Sequence, residues 1–173
     1  MTVMKKIVQL FTPLLVLSFL INSSFTAQLS YSEIEYEVSQ KMCEKGIDID
    51  NCSHLPLYVG FYDWLGTPYK YSGTTKKGID CSGFTKMLVK QAYGIELAGG
   101  SRDIFPKCSP IKKVDLVEGD LVFFKISKGS ISHVGVYLQN GYFVHATVHG
   151  GVMISHLDES YYTKYFYSGG RLD

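Results

Sequence analysis

The sequence predicts an α+β domain in which a helix packs on an antiparallel sheet. The clearest helical periodicity comes early in the chain and ends near Tyr93. Runs rich in β-branched and aromatic residues take over from Leu121 onward. The turns between those runs are too short for parallel crossovers, so neighbouring strands run antiparallel. Composition agrees. The 173 residues include 17 Gly, 13 Tyr and 10 Phe, which suits turns and aromatic strands better than a helical bundle. Hydrophobic residues at 46% and charged residues at 19% support a packed core. Lys plus Arg number 17 against 16 Asp plus Glu, a net charge of +1 with no basic excess for a nucleic-acid partner. No repeat at a fixed period points to a solenoid or propeller.

Residues 1–27 read as a secretory signal peptide. Lys5 and Lys6 precede an apolar stretch from Ile7 to Ile21, and small residues follow up to Ala27. The alternative is a membrane anchor, but a span needs about 20 apolar residues. No Cys closes the stretch to accept a bacterial lipid anchor. With cleavage after Ala27 the chain loses two cations and no acid, taking the net charge from +1 to −1 and leaving no membrane insertion. Export carries Cys43, Cys52, Cys81 and Cys108 to a compartment where disulfides persist.

Residues 28–54 read as a helix followed by a loop. Ser32 can cap the helix, Glu33 and Glu35 suit its positive end, and Gly46 stops it near Lys45. A disulfide between Cys43 and Cys52 would staple the loop. Leu55 to Leu65 reads as an aromatic-rich helical turn or two, ended by Gly66-Thr67-Pro68. Tyr69 to Asp80 reads as an irregular loop. Cys81 to Tyr93 has the clearest helical period, with Phe84, Leu88 and Ala92 four apart and Gly94 as a stop. Ala98 to Leu121 is irregular. Strands follow at Leu121–Ile126, Ile131–Leu138, Tyr142–Thr147 and Gly151–His156. A short helix at Asp158–Lys164 and a last strand at Tyr165–Arg171 complete the chain.

Cys81 stands out chemically. It opens a helix, behind Asp80 and ahead of Ser82-Gly83, where unpaired N–H groups and the helix dipole favour a thiolate. The bland alternative is a buried or disulfide-bonded Cys. Two histidines sharpen the choice. In the strand ending at Leu138, His133, Gly135 and Tyr137 share a face; in the next, Phe143, His145 and Thr147 do. A two-residue turn at Asn140-Gly141 would send the two rings to opposite faces. A three-residue loop, Gln139-Asn140-Gly141 with Gly141 left-handed, sets His145 opposite Gly135 and diagonal to His133. We therefore expect the three-residue loop, or a compensating bulge. His133 then takes the Cys81 proton or holds an ion pair with it, and His145 fixes the tautomer from the other ring nitrogen. The Cys81 backbone N–H is the expected oxyanion donor.

Five segments extend the pattern: Leu65-Gly66-Thr67-Pro68-Tyr69-Lys70-Tyr71, Gly78-Ile79-Asp80-Cys81-Ser82-Gly83-Phe84, Glu118-Gly119-Asp120-Leu121-Val122-Phe123-Phe124, Ser132-His133-Val134-Gly135-Val136-Tyr137 and Tyr142-Phe143-Val144-His145-Ala146. In order and spacing they resemble the NlpC family of bacterial cell-wall cysteine peptidases, over roughly Leu57 to Leu172. The resemblance implies a papain-like fold for residues 55–173, with the catalytic helix on an antiparallel sheet of about five to six strands. It implies Cys81 as nucleophile, His133 as base and His145 as third polar residue, with no cofactor and no metal. It places Tyr69 beside the Cys as a substrate-binding residue. Asp80 and Ser82 match positions that in some members hold the free amine of a stem peptide; helix capping by Asp80 is the alternative. Ser72-Gly73 and Ala98-Gly99-Gly100-Ser101-Arg102 depart from the family pattern.

The resemblance implies an exported endopeptidase of the cell envelope that hydrolyses peptidoglycan stem peptides or crosslinks, at D-alanyl–diaminopimelate or γ-D-glutamyl–diaminopimelate bonds. Three other readings stand beside it. They are an amidase or acyltransferase on the same fold, a binding module whose Cys81 is tied in a disulfide, and a zinc site of Cys81, His133 and His145.

Overall fold

The computed structural model describes residues 33–49, 53–127 and 129–172. The expected signal peptide, the Ser32 cap and Cys52 lie outside them. The chain divides into two units, Met1–Val38 and Ser39–Asp173; the described part of the first is a helical run, residues 33–38.

Helix α1 covers residues 33–43, and the turn at Gly46 follows it. Helix α2 is Leu55–Tyr62, started by Pro56 in its first turn, where the missing N–H costs nothing. It is three residues shorter than the aromatic run suggested. The segment expected as an irregular loop holds a small hairpin, β1 (Thr74–Thr75) with β2 (Gly78–Ile79). Helix α3 is Cys81–Tyr93, with the bounds that its period predicted and Gly94 left-handed at its end. Its buried side, Phe84, Leu88 and Val89, packs against α2 and against the sheet.

The stretch from Ala98 to Leu121, expected to be irregular, carries short elements that hydrophobic periodicity is too brief to reveal. They are α4 (Ser101–Ile104), 3₁₀ turns at Phe105–Lys107 and Lys113–Asp115, and an edge strand β3 (Ser109–Ile111). Strands β4 (Leu121–Phe124), β5 (His133–Tyr137), β6 (Tyr142–Thr147) and β7 (Gly151–His156) follow, then α5 (Ser160–Tyr165) and β8 (Phe166–Arg171). β4 ends sooner than the apolar run suggested, and β5 is shorter at both ends. Among the described residues the main sheet has six strands, ordered β3-β8-β4-β5-β6-β7, all pairs antiparallel.

The β5–β6 hairpin has the three-residue register. Val136 pairs with Val144 and Tyr137 with Phe143. The Leu138 N–H donates to the Tyr142 carbonyl at 2.9 Å, and the Tyr142 N–H to that of Gln139 at 2.9 Å. Asn140 (φ +53°) and Gly141 (φ +84°) are both left-handed, a conformation Asn tolerates through its short polar side chain.

One face of the sheet closes on a cluster of Val122, Phe124, Tyr137, Phe143, Leu157 and Tyr162. At about 25 cal/mol per Å² of apolar area removed from water, rings of this size dominate the packing energy. Charged residues of the Glu118-Gly119-Asp120 segment pin the edges. Buried Asp120 accepts two hydrogen bonds from the Arg171 guanidinium, at 2.8 and 2.7 Å, tying β8 to the start of β4. Glu118 accepts from the Tyr58 hydroxyl at 2.5 Å and the His54 N–H at 2.6 Å, which holds α2. Among the described residues no helix is long and apolar enough to cross a membrane.

Candidate active site

The head of α3 is built on Asp80. Its Oδ1 accepts from the Gly83 N–H at 2.6 Å and the Ser82 hydroxyl at 2.9 Å, and its Oδ2 from the Ser72 N–H at 2.9 Å. The expected capping is present, and it also ties the β1–β2 segment to the helix. Ser72 reaches this bond with a left-handed backbone, φ +56°. Cys81 is the first helical residue, 8% exposed and a free thiol. The helix leaves its N–H without an intrahelical acceptor. The disulfide-blocked reading therefore loses its basis. Cys43 is also a free thiol, and the proposed partner, Cys52, lies outside the described residues.

The two histidines come together as the register required. His133 Nε2 lies 2.7 Å from His145 Nδ1, with the rings nearly perpendicular and their centroids 4.9 Å apart. His133 Nδ1 is left as the nitrogen free to serve the thiol. The Val134 N–H acts on the Cys81 sulfur, which places the thiol beside the residue that follows His133. Behind the pair, His145 Nε2 faces the Ser155 hydroxyl at 3.1 Å and the Tyr162 hydroxyl at 3.2 Å.

Burial decides the charge state. It pushes the Cys81 thiol up; the N–H groups of Val134, Ser82 and Cys81 pull against that, Asp80 adds to it, and the net shift is upward. The thiolate expected from the helix N-terminus is thus overruled by desolvation. Burial also lowers His133 to about 4, and lowers His145 well below its ordinary value, with the His133 charge as a second cause. The resting pair is a thiol and a neutral imidazole.

A cleft of about 590 Å³ opens over Cys81. Tyr69, Asp80 and Ser82 line it, as does Arg102. Burial raises the Tyr69 phenol, and the adjacent Cys81 and Asp80 raise it further, so it stays protonated beside the sulfur. Arg102 donates from Nε to the Ile131 carbonyl at 3.0 Å and from Nη2 to the Ser130 hydroxyl at 2.7 Å, fixing the loop before β5. Among the described residues no group of three or more His, Cys, Asp or Glu side chains is arranged to hold a metal ion. His133 and His145 turn nitrogens on each other, which withdraws those atoms from the zinc arrangement considered above.

The sequence gives no direct sign of Ser155 and Tyr162. Ser155 was within reach of pairing rules. A three-residue β6–β7 loop pairs Phe143 with Ser155 and His145 with Met153, so Ser155 is diagonal to His145 on its face. Tyr162 comes from α5 and needs tertiary packing to be found.

Residues 66–171 match the NlpC/P60 family. The chain belongs to the NlpC/P60 family. A similar curated protein is "Probable endopeptidase NlpC" of Escherichia coli K12, 40% identical over 110 residues, 63% of this chain and 71% of that protein. Another, also from E. coli K12, is "Murein DD-endopeptidase MepS/Murein LD-carboxypeptidase", 37% identical over 112 residues, 65% of this chain and 59% of that one. The crystal structure of an NlpC/P60 family protein from Bacillus cereus superposes with a TM-score of 0.62 at 32% identity, covering 72% of this chain and 41% of that chain. In this NlpC/P60 chain the matched span holds Cys81, His133 and His145 together.

Proposed function

We propose that the protein is a cysteine peptidase that hydrolyses amide bonds of peptidoglycan stem peptides or their crosslinks, with Cys81 as nucleophile, His133 as base and His145 as orienting residue. The observation that carries this reading is the 2.7 Å bond from His133 Nε2 to His145 Nδ1. It leaves His133 Nδ1 for the thiol at the head of α3. In the first step sulfur attacks the scissile carbonyl carbon while His133 Nδ1 takes the thiol proton. The resulting oxyanion lies within the field of the Cys81 N–H, with the protonated Tyr69 hydroxyl as second donor. Collapse breaks the C–N bond, and His133 returns the proton to the departing amine. Water then attacks the thioester with His133 again as base, releasing the acid and the thiol.

The cleft has room for a peptide, and Asp80 Oδ2 carries only the Ser72 N–H in the described bonds, which leaves capacity for a stem-peptide amine. Ser82 and Tyr69 line the same floor. The relative named as a murein DD-endopeptidase supports peptidoglycan as substrate and favours the D-alanyl–diaminopimelate crosslink. The same likeness, with residues 1–27 as an export signal, supports action in the cell envelope. Incubation with defined muropeptides tests the bond. Conversion of a crosslinked dimer to monomers supports the crosslink. Release of fragments from an uncrosslinked stem would move the assignment to the γ-D-glutamyl–diaminopimelate bond.

A further inference from the structure

The third residue of the site has its own support, outside the segments that carry the family pattern. His145 is fully buried. Its Nε2 faces two hydroxyls, Ser155 Oγ at 3.1 Å from β7 and Tyr162 Oη at 3.2 Å from α5, and the Ser155 hydroxyl donates to Tyr162 Oη at 3.4 Å. The Tyr162 ring is held edge-on to His145, Phe143 and Phe124, with centroids 5.3, 4.9 and 5.5 Å away. Packing therefore fixes the Tyr162 hydroxyl and strand pairing fixes that of Ser155, with the Phe143 ring also beside His145.

Proton positions give these hydroxyls a task, taking Cys81 and His133 in the roles proposed above. When His133 accepts the thiol proton at Nδ1 it already carries one at Nε2, so Nε2–H donates to His145 Nδ1. His145 must then carry its own proton on Nε2, inside the buried pocket. Among the described residues, Ser155 Oγ and Tyr162 Oη are the atoms within hydrogen-bond reach to accept it. Without them the Nε2–H would be a buried donor lacking a partner, which is costly. The ring would escape by moving its proton to Nδ1, which sets N–H against N–H at the His133 contact once that ring is charged. We propose that Ser155 and Tyr162 are positioning residues that hold His145 in the Nε2–H tautomer and so keep His133 Nδ1 basic toward Cys81.

The test uses Ser155→Ala, Tyr162→Phe and the double variant; Tyr162→Phe keeps the ring and its packing. Nitrogen-15 NMR of the histidine side chains is expected to show His145 as Nε2–H in the unmutated protein and as Nδ1–H in the double variant. Alkylation of Cys81 by iodoacetamide, which needs no peptidoglycan, is expected to slow about tenfold near neutral pH in the double variant. Its pH profile should shift too, and Ser155→Thr should restore both. Peptide cleavage should lose kcat with KM unchanged. An Nδ1–H tautomer in the unmutated protein would overturn the assignment, as would unchanged alkylation in a folded double variant. If alkylation responds while no peptidoglycan product forms from the unmutated protein, the positioning role stands and the substrate reading fails. Should the double variant not fold, the two single variants carry the same readouts.

Discussion

At His133, the choice of ring nitrogen decides what the residue can do. Nε2 is taken by His145, so only Nδ1 can serve Cys81. With the thiol pushed up by burial and His133 lowered to about 4, the site rests uncharged. Iodoacetamide should therefore alkylate Cys81 at a rate that climbs into the alkaline range, without a thiolate plateau between about pH 5 and 8. A plateau across that range would mean a preformed ion pair. A second prediction concerns Ser72, whose left-handed backbone costs a non-glycine residue on the order of 1 kcal/mol. Ser72→Gly should raise unfolding free energy by about that amount, read by denaturant titration, and should leave the Asp80 bond in place. The catalytic candidates were legible because nucleophile chemistry needs a helix start and a ring on a neighbouring strand. The charge state was not, since desolvation depends on packing that the sequence does not display. Ser72 was legible as a departure from the family pattern, but its strain required the backbone.

The β5–β6 hairpin is the element on which the site depends. Its register was readable from the need to bring two rings to one face, against the two-residue turn that Asn140-Gly141 alone suggests, because a slip by one residue inverts every side chain. Gly135 allows the close approach between its strands. A Cβ there would lie 2.9 Å from Phe143 Cδ2, 2.9 Å from the Val144 carbonyl and 3.1 Å from His145 Cβ. Gly135→Ala should thus destabilise by about 1–3 kcal/mol. It should also cut activity by more than the stability loss explains, since it displaces His145; melting and kcat measured together check this. The helices and strands with a full period, α3, β6 and β7, were read with correct bounds. The elements between Ala98 and Leu121 were missed because each is four residues or fewer and draws its order from neighbours: β3 from pairing with β8, and the preceding turn from Phe105 edge-on to Phe123.

For the whole molecule, the buried histidines couple folding to pH. The unfolded chain protonates His133 below about 6.5, while the folded protein resists until about 4. The unfolded state therefore binds more protons across that interval, and stability falls as pH drops through it. Each unit of separation is worth about 1.4 kcal/mol, and His145 acts in the same direction. Thermal melting should show a larger loss between pH 7 and about 5 in the unmutated protein than in His133→Gln. Equal losses would mean that the histidines are not held neutral by the fold. The α+β class and antiparallel sheet were legible because turn lengths forbid crossovers. The anchoring of β8 through Asp120 and Arg171 was not, because those residues are 51 apart and only the closed sheet brings them together.

In the proposed reaction Cys81 cuts peptidoglycan stem peptides with His133 as its base. The most direct measurement is digestion of purified, intact peptidoglycan by the protein, by Cys81→Ala and by His133→Ala, with products read by mass spectrometry. New stem-peptide ends are expected from the unmutated protein alone, with their identity naming the bond. Products that persist in Cys81→Ala, or none from an unmutated protein whose Cys81 thiol is free, would contradict it.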